Sequence, residues 1–175
     1  MIFCTFASMR KRSSIPVKSL INRFPEIDLP VTLTEDSERE FSKRHHPLPM
    51  PLVEKFFSDF FPPSHLDEYT EFVPCFKFKD TKGFYALVVW VAELTKKQFY
   101  LLTFSNTGQP LHSKIIGGTV LAGNKILRTA ARIDEDWIIY SVSGVSEGEL
   151  VDLNNKETFS TIIELMPNGS IVQNQ

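Results

Sequence analysis

The chain has 175 residues, is 42% apolar and 12% aromatic, and carries a net charge of −2. This content excludes a chain disordered throughout, and the length suffices for one domain that buries roughly 70% of its unfolded surface without a disulfide or metal staple. With a pI near 6.1 no nucleic-acid partner is expected, because such proteins are usually basic.

The first residues, Met1 to Ser8, are apolar or small and are followed by Arg10, Lys11 and Arg12. A secretory signal has the opposite order. Residues 1–23 are read as a mobile tail, and residues 24–175 as a single β-rich domain. The longest uninterrupted apolar run, Phe84 to Ala92, is too short for a transmembrane helix. Of the two cysteines, Cys4 falls in the tail, and Cys75 lies in an alternating apolar stretch where a small core residue is expected.

Punctuation divides the domain. Nine of the eleven prolines fall at or before Pro74, and all eight glycines at or after Gly83. The first part therefore reads as extended segments with one short helix, and the second as strands and tight turns. The helix is placed at about 51–61: Leu52, Val53, Phe56, Phe57, Phe60 and Phe61 form one face of a 3.6-residue period. Pro51 suits its first turn, and Pro62 and Pro63 stop it. Its phenylalanine stripe is expected to pack on the sheet that follows. Ser64 and Asp67 suggest one further capped turn.

Strands are expected from about residue 71. Phe72 to Lys79 alternates, with Pro74 pointing to an edge or bulge. Phe84 to Leu94 is apolar on both faces and reads as a central strand covered on both sides. Gln98–Phe104, Leu111–Leu121, Lys125–Ile133, Trp137–Ser143, a short Glu149–Leu153, Thr158–Met166 and Ser170–Gln173 follow, separated by turn residues. Lys82–Leu87 resembles Lys97–Leu102 at the spacing of two strands of one hairpin. Short connections force antiparallel neighbours, so the fold class is mainly β: a meander of about eight strands, curved or barrel-like, with the helix against one face. Gly117-Gly118, flanked by Ile115-Ile116 and Val120-Leu121, marks a bulge or a sharp bend.

The chemistry-bearing residues form no motif. His45 and His46 are adjacent and point apart on extended backbone, next to Lys43 and Arg44, which makes a poor chelate. His65 and His112 stand alone, and His112 opens a strand. Asp134, Glu135 and Asp136 lack the spaced acids and glycine of a calcium loop and read as a hairpin turn. No nucleophile elbow, phosphate loop or dinucleotide fingerprint occurs. Catalytic, cofactor and metal residues are thus none, and the aromatics Phe84, Tyr85, Trp90, Phe99, Tyr100 and Trp137 are read as core rather than as a stacking platform.

Phe24-Pro25-Glu26-Ile27-Asp28-Leu29-Pro30, the run Phe99 to Phe104 with Gly108, Lys114-Ile115-Ile116-Gly117, and the closing Asn168-Gly169-Ser170-Ile171 carry a resemblance. They are similar to the β-meander domains of small bacterial lipoproteins. That resemblance implies export and a cell-envelope location, and it brings no activity or functional residues with it. The expected function is a non-catalytic envelope or surface domain binding a protein or polymer. The alternatives are a carrier of a small apolar ligand inside a partly open barrel and, third, a hydrolase with convergent acids.

Overall fold

The computed structural model describes residues 15–147 and 158–174. Its helices are α1 (Val17–Ile21), α2 (Glu35–Arg44) and α3 (Met50–Phe56), and its strands are β1 (Val31–Leu33), β2 (Glu71–Lys77), β3 (Phe84–Ala92), β4 (Lys96–Ser105), β5 (Pro110–Ala122), β6 (Lys125–Ile133), β7 (Ile138–Glu147), β8 (Thr158–Leu165) and β9 (Ile171–Asn174). From β2 to β9 each strand pairs antiparallel with the next, and the path does not close into a barrel. The meander expected from the short connections is therefore the fold, and its strands lie where the alternation and turn residues put them. The expected strand Glu149–Leu153 lies outside the described residues.

β3 is the covered central strand. Ala86, Val88 and Trp90 face one core, and Leu87, Val89 and Val91 face another. The first core fills the inner side of the curved sheet with Phe76, Phe84, Phe99, Leu101, Ile116, Ile139 and Ile163. The second lies under the helices, where Leu20, Ile21, Val53, Phe56, Phe57 and Phe61 pack on Phe72, Leu102 and Phe104. The phenylalanine stripe is thus a packing face. Phe57 lies 5.6 Å from Phe72 and 6.3 Å from Phe104, ring centre to ring centre.

The N-terminal part departs from expectation in four places. The helix placed at 51–61 ends at Phe56; beyond it the chain continues in turns, with Phe61 N–H donating to Phe57 O, so Phe61 still reaches the core. The capped turn expected at Ser64 is one 3₁₀ turn, Pro63–His65, and the Asp67 carboxylate instead accepts from Tyr69 N–H and the Thr70 hydroxyl. Residues 17–21, assigned to the tail, form α1, because Leu20 and Ile21 bury against the sheet. Finally, α2 and β1 occupy a stretch read as extended. β1 pairs with β6 through Val31↔Ile133 and Leu33↔Ala131.

Gly117-Gly118 sits where β5, still paired with β4, gains β6 as a second partner. The β4–β5 register shifts between Phe99 and Tyr100, opposite Gly117 and Ile115, and the β5–β6 pairing begins at Gly118↔Thr129. Gly118 has φ +126°, and a Cβ there would lie 2.2 Å from Lys97 O and 2.6 Å from Gln98 Cα. Only glycine fits. The bulged Ile116 leaves a carbonyl to which the Ser141 hydroxyl of β7 donates at 2.8 Å. Similarly, the Thr103 hydroxyl donates at 2.8 Å to Gly169 O, tying β4 to the β8–β9 turn. These two buried side chains hold the coil of the sheet where ladder bonds are lost. Pro74 marks the expected edge, in β2 beside a second register shift.

Candidate functional site

α2 begins with Thr34 outside the helix, whose N–H donates to Ser37 Oγ at 3.0 Å. Glu35, Asp36 and Glu38 occupy its first turn and Lys43 and Arg44 its last, which suits the helix dipole at both ends. One apolar residue, Phe41, anchors it, against Phe76 and Phe99 at 6.2 Å each. That anchor turns Glu38 toward the sheet. Glu38 is only 6% exposed. Its Oε1 accepts one long bond, 3.4 Å, from the Thr119 hydroxyl of β5. Burial pushes its carboxyl up to about 7, with Thr119 and the nearby Lys97 opposing the rise.

Two recesses meet at Glu35, Glu38 and Lys97. The first, about 200 Å³, runs between α2 and the β4–β6 ends and is lipped by Leu94, Leu121 and Ile126. Leu94 is 94% exposed and Leu121 47%. The second, about 170 Å³, is lined by Arg39, Ser42 and Trp90. Trp90 is buried, and among the described residues its indole N–H has no hydrogen-bond partner. Glu35 is held in ion pairs by Arg128 at 3.4 Å and Arg39 at 3.7 Å. Lys97 has no carboxylate within 4.0 Å among the described residues. The cleft thus combines an underused acid, a cation without a salt bridge, an unpartnered indole and an apolar lip. Perturbed groups in a recess make this cleft the candidate site.

The residues weighed on sequence grounds lie elsewhere. His45 ends α2 with its ring edge-on to Phe41 at 6.0 Å, while His46 and His112 are exposed. His65 Nδ1 lies 3.0 Å from Glu93 Oε1 without the alignment of a hydrogen bond. Asp134 to Asp136 form the β6–β7 turn, in which Asp134 accepts from Arg132 at 2.8 Å. Cys75 is buried, and burial pushes its thiol well above the usual range. Trp137 packs edge-on to Phe78 and Phe84. No group of three or more potential metal-ligating side chains occurs among the described residues. The sequence reading missed Glu38, because a lone glutamate in a charged segment looks solvated. The acids at the start of α2 and the bases at its end were the available signal for that helix.

A second surface is apolar but shallow. Tyr140 pairs with Ile162, Val142 with Ser160 and Glu164 with Val172, so these side chains share the open face of β7–β9. Tyr140, Val142, Ile162 and Val172 are each exposed. No helix among the described residues is long and apolar enough to cross a membrane. Comparison with protein-family models, curated proteins and solved structures returned no match.

Proposed function

We propose that the protein is a non-catalytic binding module that holds a segment of a partner polypeptide in the cleft between α2 and the β4–β6 ends. One observation carries this reading. The exposed Leu94 and Leu121 line one recess with Glu38, a buried carboxyl whose hydrogen-bonding capacity is mostly unused. An apolar lip over a few convergent polar groups is the make-up of a recognition site. The hydrolase reading has less support. Glu35 and Glu38 stand three residues apart on one helix rather than across a cleft, and Glu35 is committed to two arginines. The carrier reading also has less support, because the inner face is filled by the protein's own Phe76, Phe84, Phe99 and Leu101. The resemblance to lipoprotein domains would put the partner at the cell envelope, and fractionation of cells producing the protein tests that placement.

Selection from a displayed random-peptide library tests the binding reading. Peptides enriched by the wild type should not bind a Leu94→Asp/Leu121→Asp variant whose denaturation midpoint is unchanged. Failure to enrich any peptide, or equal binding by the variant, would contradict it.

A further inference from the structure

We infer that the cleft reads a carboxylate on an acidic, apolar-flanked peptide, with Lys97 as its cation and the Glu38 carboxyl beside it. The inference rests on the binding reading above and names the chemistry of the ligand.

The donor inventory points to an anion. Among the described residues, the lining side chains whose donors hold no hydrogen bond or ion pair are Lys97, through its ammonium, and Trp90, through its buried indole N–H; the Ser42 hydroxyl donates to Arg39 O at 3.1 Å. Charge agrees. The cations are Lys97 on β4, Arg39 on α2 and Arg128 on β6, and the acids are Glu35 and Glu38 on α2. Arg39 and Arg128 pair with Glu35, and Arg39 also reaches Asp36 at 4.0 Å, so these two cations and two acids offset one another and Lys97 is left over. Glu38 loses its charge by taking up a proton near neutral pH. The balance left to a ligand is therefore positive, and an entering amine would find Lys97 in its way. A bound carboxylate adds negative charge next to Glu38 and favours its protonated form still more. A protonated carboxyl can then donate to the ligand, whereas an ionised one would repel it.

The apolar lip says what flanks the anion. Leu94, Leu121 and Ile126 border the recess that opens from Glu38 and Lys97, so a carboxylate held there places its neighbouring residues over these side chains. A free inorganic anion would leave that lip unused.

The experiment uses three fluorescein-labelled hexapeptides that differ at one central position, Glu, Gln or Lys, each flanked by leucines. Anisotropy titrations with the full chain at pH 6 and pH 8 give their affinities. The Glu peptide is expected to bind about tenfold tighter than the Gln peptide at pH 6, a difference of about 1.4 kcal/mol, and to weaken at pH 8. Lys97→Gln should erase its advantage. Glu38→Gln keeps a donor at every pH, so this variant should bind the Glu peptide at pH 8 as the wild type does at pH 6. Equal affinities for the three peptides, or a preference for the Lys peptide, would overturn the carboxylate inference and leave the peptide-binding reading standing. No binding of any peptide would overturn both. Competition by inorganic phosphate at concentrations below those needed of the Glu peptide would make the site one for free anions and overturn the peptide part.

Discussion

Glu38 makes the stability of the fold depend on pH in an unusual direction. Its carboxyl titrates near 7 in the folded chain against an ordinary 4.5. Between those values the folded state holds a proton that the unfolded state has released, so stability falls as pH rises. For a single group with these two values, the loss between pH 5 and pH 8 is about 2.5 kcal/mol. The Glu38 side chain has little exposed area, but its carboxyl is only half enclosed, so solvent screening makes that figure an upper bound. Glu38→Gln removes the titration while keeping the shape and a hydrogen-bonding end. Urea denaturation of both proteins at pH 5, 6, 7 and 8 checks this. The wild-type curve should lose ground to the variant across the series, and at an m-value of roughly 2 kcal/mol/M the relative midpoint shift should be a sizeable fraction of 1 M, up to about 1 M. Parallel pH profiles would refute the reasoning, for they would mean that Glu38 is solvated and α2 does not press it against Thr119.

Gly118→Val should destabilise the fold by about 3 kcal/mol or more, because the new Cβ meets the Lys97 and Gln98 backbone and the residue keeps a positive φ; an unchanged denaturation midpoint would contradict this. Ser141→Ala leaves the Ile116 carbonyl buried without its donor and should cost about 1–3 kcal/mol in chemical denaturation. Phe57→Ala empties a fully buried site among Phe61, Phe72 and Phe104 and should cost about 3–5 kcal/mol, with loss of cooperative unfolding if α3 detaches.

The strands were legible because each carries its own evidence. Phe84 to Ala92 is apolar on both faces, and the turn residues on either side of Lys125 to Ile133 bound that strand without reference to its partners. The Gly117-Gly118 bend was legible for the same local reason, and what its missing side chain avoids is the backbone of β4. α2 was not legible, because a helix with Phe41 as its one apolar anchor shows no stripe and draws its stability from caps, end charges and contacts made elsewhere. β1 is three residues long, and its partner Ile133 lies about a hundred residues away. The candidate site depends on both kinds of hidden information. Glu38 and Thr119 are 81 residues apart, and Trp90, Lys97 and Arg128 come from three different strands. Sequence spacing holds no record of such convergence, and each of these residues taken singly reads as an ordinary core or surface position.

The proposed binding surface is the α2–sheet cleft, and not the open apolar face of β7–β9. Amide and indole chemical-shift mapping of the ¹⁵N-labelled chain, titrated with the leucine-flanked Glu peptide at pH 6, tests it most directly. Saturating shifts are expected at Lys97, Thr119, Glu38 and the Trp90 indole N–H, with Tyr140, Val142, Ile162 and Val172 unmoved. Shifts confined to the β7–β9 face, with the Trp90 indole signal fixed, would contradict it.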